Sequence, residues 1–209
     1  LFRSSILFLE LAAHAQLDIE QSTSIAERAK ERSALFADMP AISERLSASE
    51  PQLALIDKQT WRYRAYINQT QIDDPDKQLP AANIVSFSYE ALGVDNPAER
   101  PIMFAYNGGP GSTSVWLHMG AWGPKRVDTP GSPETYLAPP YALKDNQGFL
   151  IDVADLVFVD PVNTGLSAPI DTQETSAFNG VSADARSQCL FVRNWLKANN
   201  RLSSPIYVA

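Results

Sequence analysis

Polar and apolar positions change rhythm several times along the 209 residues, and each change marks an element. Residues 20 to 50 are polar and rich in Ala, Ser and Glu, and "SIAERAKERSALFADM" spaces its apolar residues as a surface helix does. "TWRYRAYINQTQI" is aromatic and β-branched, which predicts a strand, and "DDPDKQLPA" after it predicts a turn. "NIVSFSYEAL" alternates apolar and polar residues and predicts a second strand. "GVDNPAERP" is a loop, and "PIMFAY" predicts a third strand, apolar on both faces as strands at the centre of an α/β sheet are. Residues 108 to 149 gather glycine and proline in "GGPGS", "GAWGP", "TPGSP" and "APP", a long irregular stretch of the kind that is usually functional in a compact domain. "DVADLVFVDP" predicts a fourth strand, Asp155 to Asp160. "SADARSQCLFVRNWLKANN" predicts a helix starting near Ser182 or Asp184, with Leu190, Phe191, Trp195 and Leu196 on one side. "SPIYVA" predicts a fifth strand, apolar on both faces and therefore expected inside the sheet with a neighbour on each side.

The order strand, glycine loop, strand, helix, strand implies an α/β domain with a central mixed, mostly parallel sheet. In such sheets ligands bind beyond the carboxyl ends of the strands, where both "NGGPG" and the end of "PIYVA" fall. A chain whose last residues read as a strand is expected to be the N-terminal part of a longer domain. Three segments are expected: residues 1–15, a signal-peptide remnant; 16–58, an N-terminal polar and helical segment; and 59–209, the N-terminal part of the α/β domain.

Composition narrows the chemistry. With 44% hydrophobic and 20% charged residues the chain suits one globular domain or a large part of one. A net charge of -7 argues against a nucleic-acid partner, since a phosphate backbone needs a basic face. No apolar run is long enough to span a bilayer. Cys189 is the sole cysteine, so no intrachain disulfide forms, and with only His14 and His118 and neither CxxC nor HExxH, no metal is expected. At the N-terminus, Arg3 precedes an apolar run from Ile6 to Ala13, interrupted by Glu10, and then Ala13-His14-Ala15. This reads as the end of a secretory signal, with a mature start near Gln16 and a periplasmic or extracellular destination; the alternative is an ordinary amphipathic helix.

The candidate chemistry sits in Asn107-Gly108-Gly109-Pro110-Gly111. Glycine lets a ligand approach the main chain, and successive N–H groups in such a turn form an anion site. Phosphate binding fits poorly, because Gly111 is followed by Ser-Thr-Ser without the P-loop lysine and the glycine spacing does not match the dinucleotide pattern. An oxyanion hole fits better, because α/β-hydrolases take one oxyanion N–H from the loop after their third strand. A tight structural turn is the other reading.

"AYNGGPGSTSVWLHMGAWGP", then "DVADLVFVDPVNTGLSAP", then "PIYVA" resembles the serine carboxypeptidase family, especially its bacterial members, over roughly residues 83 to 209. The family runs Asn-Gly-Gly-Pro-Gly-Ser-Ser, then an Asp-Pro-Val-Gly-Thr-Gly-x-Ser-like segment, then a strand into Gly-Glu-Ser-Tyr-Gly. The resemblance implies an α/β-hydrolase fold and a serine peptidase acting on peptides without cofactor or metal. It implies that the Gly109 N–H is an oxyanion-hole donor, that Asn107 and Gly108 bind the substrate's C-terminal carboxylate, and that "DPVNTGLS" lines the cleft. It also places the nucleophile after Ala209, with the triad Asp and His later still, so the chain alone is expected to be inactive.

The chain departs from the family at Ala105 and Ala121, where eukaryotic members carry a Trp and a carboxylate-recognising Glu, so exopeptidase specificity is less secure than peptidase chemistry. Two residues imitate catalytic ones. Gly165-Leu166-Ser167-Ala168-Pro169 matches GxSxG except for its last position, and His118 stands in an apolar context that suits a structural role better than a general base. Asn68-Gln69-Thr70 is a glycosylation sequon. Two rival functions remain open at this point: a non-catalytic hydrolase-like binding module, and an esterase or acyltransferase on the same scaffold.

Overall fold

A computed structural model describes residues 24, 27–36, 41–74, 79–108, 111–128, 141–170 and 178–209. Its centre is a sheet ordered β1(Ser43–Ala48), β3(Gln59–Asp73), β4(Pro80–Ala91), β8(Asp155–Val159), β5(Ile102–Ala105), β10(Ile206–Val208). From β1 to β8 every neighbour is antiparallel; β8, β5 and β10 run parallel, so the described sheet is mixed, as expected, but carries more antiparallel than parallel pairings. Two further strands hang on this path: β2(Gln52–Ile56) pairs with the start of β3, and β9(Ala168–Pro169) with the start of β4. A separate hairpin joins β6(Lys125–Val127) to β7(Leu143–Asp145).

The strands expected at "TWRYRAYINQTQI", "NIVSFSYEAL", "PIMFAY" and "DVADLVFVDP" are β3, β4, β5 and β8. Every residue of β8 is buried, which is why Leu156–Val159 is apolar without alternation. The parallel pairing comes from a crossover. Helix α3(Val181–Ala198) carries the chain from β8 over one face to β10, beyond β5. Its Phe191, Trp195 and Leu196 are fully buried against Ile102 and Phe104 of β5 and Val157 and Val159 of β8. The opposite face carries a second apolar cluster of Tyr63, Tyr89, Ala105, Phe149, Ile151, Leu156 and Phe158, with Leu117 and Trp122 packed against it.

The N-terminal region differs from expectation. The surface helix is present, α1 at 27–36, and its Arg32 donates to the carbonyls of Leu202 (3.0 Å) and Ser204. The same polar segment also supplies β1 and β2, which pair end to end along one edge of the long β3. "SERLSA" is almost wholly exposed in β1, so no core face imposes an apolar alternation on it. The start of α3 is capped by Gly180 at φ 109° with no side-chain cap, rather than by Ser182 or Asp184.

β10 also differs. It pairs with β5 alone and is the last strand of the sheet path, with Tyr207 and Val208 exposed, so the expected neighbour on its far side is not found among the described residues. The sequon is a further correction. Asn68 lies inside β3, 1% exposed, with its amide donating to Ser88 Oγ, so no glycan fits on it in the folded chain. Residues 1–23, with the signal-like segment, His14 and Gln16, lie outside the described residues.

Candidate active site

Because β5, β8 and β10 are parallel, their carboxyl ends share one edge of the sheet. Ala105 is fully buried, Tyr106 donates its N–H to the Ala209 carbonyl at 2.8 Å, and the chain emerges with Gly108 exposed. Of the candidate residues, Asn107 and Gly108 are therefore at this edge, while Gly109 and Pro110 lie outside the described residues. Among the described residues nothing stands within 4 Å of the position a Cβ on Gly108 would take, so they leave the backbone there open to a ligand. Asn107 Nδ2 donates to Ser112 Oγ at 2.5 Å and to the Gly108 carbonyl at 3.1 Å, so the side chain folds over its own loop. Gly111, at φ +83°, takes the left-handed turn that the loop needs.

The loop ends at Ser114, which opens the short helix α2(Val115–Leu117) and the π-helical turn His118–Trp122. Ser114 would normally cap this helix, but its hydroxyl points elsewhere: both Oγ and the backbone N–H donate to Asp160 Oδ1, each at 2.9 Å. Asp160 follows β8, is 4% exposed, and leads into "DPVNTGLS". Expectation had put that segment beside the glycine loop as cleft lining; what holds the two together is the buried carboxylate of Asp160. The sequence carried one sign of it, an acidic residue directly after the apolar run Leu156–Val159, where a buried carboxylate has to be hydrogen-bonded.

Ser167 is a structural link. It is 4% exposed; its Oγ donates to the Asp160 carbonyl (2.7 Å) and accepts from Val85 N–H (2.8 Å). That leaves it buried and engaged, with no histidine beside it in those bonds. His118 is structural too. Its ring stacks on Phe158 with centroids 4.6 Å apart, and Nε2 meets Tyr89 Oη at 2.5 Å. Burial pushes its pKa down to about 4, with the Asp160 carboxylate pulling weakly the other way. Burial likewise raises the Tyr89 phenol well above its ordinary value.

A folded pKa below the unfolded value near 6.5 means that the unfolded chain takes up the proton first. The stability due to neutral His118 is thus complete above pH 6.5 and is lost as pH falls towards 4. The expected loss is on the order of 2–3 kcal/mol. His118→Gln should flatten that limb between pH 6.5 and 4, as measured by urea unfolding; an unchanged slope would show that His118 does not titrate there.

The serine carboxypeptidase family model matches residues 86–209, well over half of the chain. The chain belongs to the serine carboxypeptidase family. Its sheet and crossover helix are accordingly part of an α/β-hydrolase fold, as the sequence implied. A solved structure similar to it is Kex1Δp, a prohormone-processing carboxypeptidase from Saccharomyces cerevisiae, at 20% identity and TM-score 0.49, covering 68% of this chain. The chain spans 30% of that protein's length. No curated protein matches the chain. Among the described residues no cluster of His, Cys, Asp or Glu could hold a metal ion, and no helix is long and apolar enough to cross a membrane.

Against the family's eukaryotic pattern, the two alanine positions now have surroundings. Ala105 is fully buried in the aromatic cluster with Phe149 and Phe158, where a Trp would need the core rebuilt. Ala121 lies in the π-helical turn, its carbonyl accepting from Asn146 Nδ2 at 2.6 Å.

Proposed function

We propose that this chain supplies the oxyanion and carboxylate-binding side of a serine carboxypeptidase site, in a bacterial-type member of the family. The observation that carries the reading is the exit of the Asn107–Gly108 step from a buried parallel strand onto the sheet's carboxyl edge, exposed and next to the Asp160 loop. On this reading the substrate's C-terminal carboxylate meets Asn107 Nδ2 and the Gly108 N–H, with Nδ2 exchanging its bond to Ser112. The Gly109 N–H then faces the carbonyl oxygen that becomes negative as a serine attacks. Neither Ser167 nor His118 serves in that attack, since both are engaged in the packing described above. The nucleophile, its His and the Asp come from sequence beyond residue 209, and the chain alone does not turn over substrate. Arg3 and the apolar run after it support export of the protein.

The test begins by reading the coding sequence past codon 209 for a Gly-x-Ser-x-Gly elbow and assaying the longer product on a blocked dipeptide as free acid and as amide. Asn107→Ala should raise KM for the free acid about 10-fold or more while leaving the amide unchanged. Gly109→Ala should instead lower kcat, on the order of 100-fold, because the oxyanion contact tightens only in the transition state. Equal effects of Asn107→Ala on acid and amide would overturn the carboxylate assignment, and a stop codon after 209 would favour a non-catalytic module.

A further inference from the structure

We infer that Asp160 is a positioning residue for the glycine loop: it sets where Asn107 and Gly108 stand, and Gly165 holds Asp160 in place from the other side. This rests on the functional reading of that loop given above.

The contacts form a continuous relay between two loops that are far apart in sequence. Asp160 Oδ1 accepts two bonds from Ser114, one from the main chain and one from the hydroxyl. Two donors from one residue fix both the position and the orientation of the point where the glycine loop ends. From there, Ser112 Oγ accepts from Asn107 Nδ2, so the carboxylate-binding candidate is tied to the same anchored end. The backbone of Asp160 is itself fixed: its N–H donates to Val85 O at 3.2 Å and its carbonyl accepts from Ser167. The anchor is thus rooted in β4 as well as β8.

The second oxygen explains a glycine. Gly165 sits at φ +52°, and a Cβ built there would lie 2.0 Å from Asp160 Oδ2, 2.7 Å from its Cγ and 3.2 Å from Thr113 Cγ2. A methyl group at 165 therefore cannot coexist with the carboxylate where it is, nor easily with the end of the glycine loop. Only glycine satisfies both the left-handed backbone and the close approach. The carboxylate is wedged between Ser114 and Gly165, and any change on one side reaches the other through it.

The relay makes a prediction that simple stability does not. Hydrogen–deuterium exchange of the full product of the coding sequence, read by mass spectrometry at micromolar concentration, follows peptides covering 107–115 beside peptides from β3 and α3. Asp160→Ala should speed exchange in 107–115 about 10-fold or more while β3 and α3 change much less. Asp160→Asn retains one acceptor oxygen for Ser114 and should restore most of the protection. Gly165→Ala, a substitution outside that peptide, should speed exchange in 107–115 as well, and its effect should be much smaller in an Asp160→Ala background, where only the left-handed backbone and the Thr113 contact still oppose the methyl group.

The same variants are titrated with N-acetyl-L-phenylalanine as a free-carboxylate probe. Asp160→Ala and Gly165→Ala should weaken binding about 10-fold, and Asp160→Asn should recover it. If the wild-type chain does not bind the probe, the carboxylate-site reading fails, while the exchange pattern still decides the positioning role. Exchange that rises equally in all peptides, or whose two increments add in full in the double variant, overturns the inference. If Asp160→Ala does not fold, the comparison of Gly165→Ala with Asp160→Asn decides: unchanged protection at 107–115 in Gly165→Ala overturns it.

Discussion

Asp155→Ala is expected to destabilise the fold by about 3–5 kcal/mol. Asp155 opens β8 at the end opposite Asp160 and is 2% exposed. Its Oδ1 accepts from Ala91 N–H (2.8 Å) and Arg100 Nε (2.9 Å), and Oδ2 from Arg201 Nη1 (2.6 Å). Arg201, itself 5% exposed, also donates to the Arg100 carbonyl (2.9 Å) and Ser204 Oγ (2.8 Å). One carboxylate therefore holds β4, β8 and the turn before β10 together at the sheet's amino edge. Replacing it with alanine leaves a buried guanidinium without the carboxylate that pairs with it, and that desolvation penalty, rather than the lost attraction, dominates the cost. Urea unfolding should show a lower midpoint at unchanged slope. Lys125→Ala removes a pair with Asp145 in which both side chains are more than half exposed, and should stay within about 0.5 kcal/mol of the parent. A comparable effect of the two substitutions would refute the account.

Trp195→Ala should cost a similar amount, about 3–5 kcal/mol, by a different mechanism. Trp195 is fully buried, its ring edge-on to Phe104 at 5.5 Å and 89°, and Phe104 meets Phe191 at 6.1 Å and 88°. These rings fasten α3 to the middle of the parallel half-sheet, and truncation opens a cavity that a packed sheet cannot collapse to fill. The neighbouring Asn194 adds a direct tie, donating to the Gln71 carbonyl of β3 at 2.7 Å. The indole Nε1 of Trp195 has no partner among the described residues, so Trp195→Phe removes an unsatisfied donor along with some apolar area and should cost under about 1.5 kcal/mol. If the alanine and phenylalanine variants melted together, packing against Phe104 would not be what anchors the helix.

Local pattern was informative wherever burial on both sides left a residue little choice. β8 reads "DLVFV" because all its positions are interior, and α3 shows its apolar stripe because one side of it faces the sheet. The glycine loop was legible for a related reason: a left-handed turn and an open backbone at a strand's end demand glycine whatever surrounds them, as Gly111 and Gly108 show. The family could be recognised because several such constrained stretches stand in a fixed order.

What the tertiary structure alone decided lies in contacts between segments distant in the chain. β1 and β2 exist because β3 is long enough to offer them an edge; their own residues are exposed and carry little pattern. The sequon at Asn68 gives no sign that pairing buries it in β3, and Ser167, set aside from the sequence as an imitation of a nucleophile, gives no sign that its hydroxyl bridges Asp160 and Val85. Asp160 and Ser114 are 46 residues apart, and nothing local to either says that they meet. The α/β class and the candidate loop followed from the sequence by itself, because periodicity and glycine are local consequences of burial and backbone geometry. The sheet edges, the buried polar residues and the Asp160 clamp were decided by tertiary structure, because a hydrogen bond between remote segments is made by the chain's closure in space and leaves no period in the sequence that makes it.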